Sequence, residues 1–191
     1  MTSIIELVGS TIIGATVIGA LIGIMVLLSA STQEIAADVN AQETMSDFVK
    51  IIQWDFAKIG NRVSSGCPLL LAKADTVIFR GDIDNNGTVD TVAYVKGNPA
   101  QRGKTLNPRD FMLYRLIFKA GLPDTTKLNV GLTNFTISYF DSTGAVTTNP
   151  NFVRGLNIAA SLESPYSTSD NVYSGVSWQN TIYPRNLNVS N

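Results

Sequence analysis

The chain has 191 residues, with 14 Lys and Arg against 15 Asp and Glu, so its formal net charge is −1 and nothing attracts it as a whole to nucleic acid. It contains no histidine, which removes the commonest general base from any proposed catalysis. Its single cysteine, Cys67, excludes an intrachain disulfide and a multi-cysteine zinc site. Charged residues make up only 15%, against ~25% in an average soluble domain.

The excess of apolar residues lies near the N-terminus. Residues 7–30 read LVGSTIIGATVIGALIGIMVLLSA and carry no charge. At ~1.5 Å per residue, a helix of this length is long enough to cross a ~30 Å hydrocarbon layer. The first Lys or Arg of the chain is Lys50, so the segment lacks the basic flank of a secretory signal peptide. We therefore predict a transmembrane helix, and we expect Met1 to be a processed N-terminus from which a basic leader was removed.

Helical periodicity continues beyond Ala30. Apolar residues recur at steps of mostly three and four, at Ile35, Val39, Met45, Phe48, Val49, Ile52, Phe56 and Ile59. No proline precedes Pro68, and Gly60 with Asn61 supplies a C-terminal stop. The pattern predicts one helix to about residue 60, in which residues 1–30 form a hydrophobic assembly or transmembrane segment and residues 31–60 form an amphipathic segment packed on the head.

Two features of the apolar segment concern assembly. Ser10, Gly14, Gly19 and Gly23 place small residues four or five apart, which favours close packing against other helices. The alternative is that glycine is simply common in membrane helices. Glu6 is an acidic residue ahead of the apolar run, and it needs either a partner or a position at the membrane interface.

The N-terminal sequence MTSIIELVGSTIIGATVIGALIGIMVLL resembles that of mature type IV pilins and pseudopilins. In that family a leader peptidase cuts after a glycine, and a Glu neutralises the N-terminal amine of a neighbouring subunit during filament growth. The resemblance assigns this role to Glu6, which is sixth counted from Met1 and fifth, the family's usual position, counted from Thr2. The family's frequent proline in mid-helix is missing here, so glycines would have to permit any local unwinding.

Residues 61–191 are predicted to form a β-rich globular head. Strand-like runs lie near 76–80, 91–96, 111–119, 133–140 and 152–163, and we expect residues 164–191 to be irregular. The fold class is therefore α+β, a long helix packed on an antiparallel sheet. The segments QWDFAKIGNRV, TVDTVAYV, FMLYRLIF and VRGLNIAASLES resemble minor pilins and the J-type pseudopilins of type II secretion.

The segment DIDNNGTVD matches the first nine places of a calcium-binding loop. The predicted oxygen ligands come from alternate positions, at Asp82, Asp84, Asn86, Thr88 (through its carbonyl) and Asp90. Place twelve of such a loop is usually Glu and here is Ala93, so a further carboxylate such as Asp75 or Asp110 is a candidate to complete the shell. The alternative is a hairpin that turns at Asn86-Gly87. Three crowded carboxylates without a nearby Lys would repel one another, which favours a bound Ca²⁺.

Catalytic and nucleotide-binding motifs are absent from the sequence, so we predict no enzymatic activity, and a hydrolase that uses Asp82 or Asp90 as its base is disfavoured. The leading hypothesis is a structural subunit that waits in the cell membrane and then forms a homo-oligomeric helical filament, an extracellular pilus, through residues 1–30. The alternative is a membrane-tethered, calcium-dependent adhesin or recognition module that does not polymerise. No nucleic-acid partner is expected.

Overall fold

The computed structural model describes residues 2–98, 106–119, 122–169 and 172–187. In chain order its elements are α1 (Thr2–Ala57), β1 (Leu69–Ala72), β2 (Thr76–Gly81), β3 (Asp90–Lys96), β4 (Phe111–Lys119), β5 (Leu122–Phe140), β6 (Gly155–Ser169), β7 (Val172–Ile182) and a short 3₁₀ turn (Arg185–Leu187). The strands form one antiparallel sheet in the order β1 to β7. The long helix packs against this curled sheet, so the predicted α+β fold is confirmed.

The helix α1 is continuous across the apolar and amphipathic segments. No proline interrupts it, and hydroxyl groups within the apolar part donate to carbonyls one turn earlier, as Thr11 does to Val8 at 2.8 Å and Thr16 to Ile13 at 2.8 Å. The chain leaves the helix after Ala57, and Gly60 adopts a positive φ of 80°. Its N–H donates to the Arg80 carbonyl at 2.8 Å, so the predicted stop joins the helix end to β2.

Only the second half of α1 contacts the head. The buried apolar residues of α1 and the turn after it recur at steps of three and four, at Ala41, Met45, Phe48, Ile52, Phe56 and Ile59. Among the described residues before Ala41, none is buried. The aromatic rings continue the contact into the sheet, since Phe48 meets Phe135 at 6.3 Å edge to face and Phe56 lies 5.3 Å from Tyr94.

The sheet curls because β5 changes partners along its length. Its first half pairs with β4 and its second half with β6, and the pairing is irregular on either side of Leu132. At this point Gly131 has φ 75°, and a side chain there would meet the Glu163 carbonyl at 2.6 Å. The curl brings β5 back to the β1–β2 turn, where the Ile137 N–H donates to the Ala74 carbonyl at 2.9 Å.

The prediction that residues 164–191 are irregular was wrong over most of that segment. Strand β6 continues to Ser169, and β7 pairs with it from Leu156↔Ile182 to Glu163↔Gly175 and beyond. The segment is poor in aliphatic residues because β7 lies at the edge of the sheet and has no fully buried residue. Its Tyr, Trp and Ser side chains suit a half-exposed strand.

The remaining strand predictions differ from the structure in their bounds. Strand β4 has the predicted limits, and β2 and β3 agree within one residue. Strand β5 begins earlier than predicted, whereas β6 begins at Gly155 and leaves Phe152 61% exposed outside the sheet. The four-residue strand β1 was not predicted, because a run this short is too brief to show a period.

Candidate functional site

The predicted ion-binding loop joins β2 to β3 and is organised by its first aspartate. The Asp82 carboxylate is buried and accepts the N–H groups of Asn86 and Gly87, each at 3.0 Å. Gly87 has φ 90° and Asn85 has φ 59°, so the chain turns through left-handed conformations around these bonds. The sequence therefore folds the loop around Asp82 and not as a two-residue hairpin turn.

Three carboxylates converge at this loop. One oxygen from each of Asp82, Asp84 and Asp90 lies within 4.8 Å of the other two. Oxygens that share one Ca²⁺ at 2.3–2.6 Å are separated by up to about 5 Å, so these three fit a single ion. Asp82 and Asp90 are buried, and Asp84 is partly open to water.

The other two predicted ligands lie on the same turn but are engaged differently. The Asn86 side-chain oxygen accepts the Thr88 N–H at 2.7 Å and also the Thr88 hydroxyl. An ion at the three carboxylates would gain this oxygen only if those bonds were shared or given up. The structure thus brings the three predicted carboxylate ligands together, and it engages the Asn86 side-chain oxygen within the loop.

The expectation that no Lys lies near the aspartates was wrong. Lys119 at the end of β4 is 2.8 Å from Asp84, and Arg62 after the helix is 3.0 Å from Asp82. Pairing of Thr91 with Phe118 brings the end of β4 to the loop, although Lys119 is 35 residues from Asp84 in sequence. The hydrogen bond from Lys119 lowers the pKa of Asp84 below its ordinary value. The chain therefore supplies cations of its own to the cluster.

The further ligands considered for the loop were also wrong. Lys96, at the end of β3 away from the loop, donates its N–H to the Asp75 carbonyl, and Asp110 precedes the end of β4 that pairs with the same part of β3. At ~3.3 Å per residue, the length of β3 puts both aspartates about 20 Å from the loop. Neither can complete a coordination shell around the loop aspartates.

The loop is fastened to the C-terminal end of α1. The Ile83 carbonyl accepts the Lys58 ammonium at 2.5 Å and the Trp54 indole N–H at 3.4 Å. The Asp82 N–H donates to the Asn61 carbonyl at 3.1 Å. A change in the loop, including ion binding, would therefore act directly on the end of the helix.

A second polar cluster, which sequence analysis missed, lies within the interface between helix and sheet. Asp55 on α1 is fully buried. The Arg115 guanidinium donates to both of its carboxylate oxygens, at 2.6 and 2.9 Å, and the Tyr94 hydroxyl donates to it at 2.5 Å. The available signal was an acidic residue directly before Phe56 and three residues after Ile52, which places it on the apolar face of the helix.

Burial and pairing keep both partners of Asp55 in this Asp55 cluster protonated. Burial, followed by the charge of Asp55, raises the pKa of Tyr94 well above its ordinary value, so the phenol remains a donor. The hydrogen bond to Asp55 raises the pKa of Arg115, so the guanidinium remains charged. The cluster is a charge-assisted, two-pronged ion pair completed by a neutral phenol.

The predicted assembly residues lie outside the head. Glu6 is exposed, one turn into α1. Gly14, Gly19 and Gly23 have nothing within 4 Å of the position that a Cβ would occupy. The apolar segment is compatible with a transmembrane helix by length and composition. Within the described chain, no contact with the head explains the small residues at these positions.

Comparison with known proteins assigns no family to the chain. No protein-family model matches the chain, and no curated protein matches it.

We expect Asp55→Ala to destabilise the head strongly. Removing the carboxylate leaves the partly buried Arg115 charge and the buried Tyr94 hydroxyl without their shared acceptor, a change that typically costs about 3–5 kcal/mol. Denaturant unfolding of the detergent-solubilised chain measures the loss. Asp47→Ala is the matched control, because Asp47 pairs with Lys50 on the exposed face of the same helix at 2.8 Å. A loss no larger than that of the control would contradict the structural role given to the Asp55 cluster.

Proposed function

We propose that this protein is a structural subunit of an extracellular filament of the type IV pilus kind, which polymerises through residues 1–30 of its helix. One observation carries the proposal: the helix continues unbroken from a packed amphipathic half into an apolar half in which none of the described residues is buried. Such a helix has a head at one end and an apolar surface without a partner at the other. The resemblance of the N-terminal sequence to pilins supports the same reading.

The exposed apolar surface is too extensive for a monomer in water. Large side chains such as Ile5, at 73% exposed, and Leu27, at 72%, project on all sides of the helix. Exposed apolar patches of this extent mark membrane or protein contacts. Lipid before assembly and helices of other copies afterwards would each bury this surface.

A calcium ion at the loop is a part of the proposal that rests on separate evidence. The convergence of Asp82, Asp84 and Asp90 provides the hard oxygen ligands that Ca²⁺ prefers. Lys119 and Arg62 would compete with the ion for the same oxygens. Without the bidentate Glu, the site would suit the ~10⁻⁴ to 10⁻³ M affinities of extracellular modules.

The second candidate function is a membrane-tethered, calcium-dependent adhesin or recognition module. It is favoured by the same exposed helix, since a tether alone would bury the apolar surface in lipid. The two functions differ in one product: only the filament subunit predicts fibres that contain this chain. Electron microscopy of shed surface material, with antibody labelling of the head, separates them.

The first test concerns Glu6. Glu6→Ala should leave membrane insertion intact and reduce the number of labelled fibres at least tenfold, because the carboxylate would no longer offset the amine of a neighbouring subunit. Glu34→Ala is the matched control, an exposed acidic residue of the same helix outside the apolar segment. Equal fibre counts for Glu6→Ala and wild type would reject the assembly role of Glu6.

The small residues provide an independent test. Replacing both Gly19 and Gly23 by Leu adds side chains that meet nothing within the chain, so the folding of the head should not change. Fibre formation should fail if neighbouring helices approach closely at these positions. Ile18→Leu with Ile22→Leu is the control of nearly equal volume on the adjacent face. Normal fibres from the glycine double variant would show that close helix packing at Gly19 and Gly23 is not needed for assembly.

Calcium binding is tested by thermal unfolding of the detergent-solubilised chain in calcium and in chelator. At a free ion concentration of a hundred times the dissociation constant, binding should stabilise the head by about 2.7 kcal/mol. Asp84→Ala should abolish most of this shift, and Lys119→Ala should increase it because a competing cation is removed. Asp141→Ala, in a separate exposed turn, should retain the wild-type shift. If calcium shifts wild type and Asp84→Ala equally, the loop is only a turn.

A further inference from the structure

The buried face of α1 repeats itself at every turn. A slip of the helix by one turn would replace Met45 by Phe48, Phe48 by Ile52 and Ile52 by Phe56, so an apolar side chain would again occupy each place. Burial of apolar surface is non-directional and depends mainly on area. Apolar packing alone therefore discriminates poorly between successive axial positions of this helix.

Asp55 breaks the repetition. Among the described residues of α1, every other buried residue is apolar, and Asp55 alone is both buried and polar. A slip of one turn, about 5.4 Å, would carry its carboxylate away from both of its partners and leave it against apolar side chains. The bond from Lys58 to Ile83 beyond the helix end is partly open to water. The buried Gly60 and Asp82 also make backbone bonds in this turn, to the Arg80 and Asn61 carbonyls, but these residues lie outside α1 and do not belong to its buried face.

The two partners of Asp55 together form one binding position for its carboxylate. Tyr94 on β3 and Arg115 on β4 are directly opposite each other in the strand register, and the Arg115 Nε lies 3.2 Å from the Tyr94 hydroxyl. The planar guanidinium donates two parallel hydrogen bonds, so it binds a carboxylate in one plane and at one distance. The sheet thus presents one place, fixed by two paired strands, at which the carboxylate fits.

We infer that the Asp55, Tyr94 and Arg115 cluster is a register lock, which selects one axial position of the helix on the sheet. This goes beyond the proposed filament function, because the lock would set the height of the head above the apolar segment whether or not the chain polymerises. The lock would contribute specificity of position in addition to the loss of stability expected when Asp55 alone is removed.

The test measures helix position directly. Spin labels at Glu43→Cys on α1 and Thr136→Cys on the exposed face of β5, in a Cys67→Ser background, report the distance between helix and sheet in the detergent-solubilised chain. The test variant replaces the cluster by apolar residues of similar size, Asp55→Leu, Tyr94→Phe and Arg115→Leu. The control is Lys58→Ala, which removes bonds at the helix end and keeps the cluster. A second test variant, Arg115→Lys, keeps the charge and loses the fork.

Wild type and the Lys58→Ala control should give one narrow distance maximum. The apolar triple variant should still unfold cooperatively but show at least one further maximum, and Arg115→Lys should broaden the distribution. A single unchanged maximum in the triple variant would overturn the lock. If the triple variant does not fold, Arg115→Lys decides: an unchanged narrow maximum in that variant would overturn the lock, and a broadened distribution or a further maximum would support it.

Discussion

One continuous helix must bury two different apolar surfaces, one against the sheet of the head and one outside the head, and the rest of the structure depends on this constraint. None of the described residues of the apolar segment is buried, while the apolar stripe from Ala41 to Phe56 faces the sheet. Because the helix is continuous, the head cannot turn independently of the apolar segment. Whatever fixes the helix on the sheet therefore also fixes how the head is presented to a membrane or to neighbouring molecules.

Directional contacts concentrate where the helix ends. The Asp55 cluster fixes the helix to β3 and β4, and one turn later Lys58 and Asn61 fix the loop between β2 and β3. The charged groups of Lys58 at the loop and of Asp55 in the interface thus hold positions that are only three residues apart. Apolar contacts fill the space between them, and the polar contacts determine the arrangement.

The sequence predicted what depends on local pattern. The three-to-four spacing of apolar residues predicted the helix, whose end the structure places at Ala57, three residues before the predicted Gly60. The bounds of β4 followed from a single apolar run. Strand β7 was missed because an edge strand buries too little to leave an aliphatic signature. The partners of Asp55 and Asp84 could not be predicted, because Arg115 lies 60 residues from the first and Lys119 lies 35 residues from the second. Only the strand register brings them together.

The loop shows that a pattern of carboxylates in sequence does not by itself establish a metal site. The repulsion among neighbouring carboxylates can be offset by cations from elsewhere in the chain, and here Arg62 and Lys119 offset it from outside the motif. An ion at the loop must therefore displace or coexist with these side chains, which lowers its net gain because their own pairing is lost. Asp82 accepts two backbone N–H groups, so contacts within the chain also hold the turn. Binding would then tune a loop that is already folded, and the effect should be a shift in stability without a change in the fold of the head.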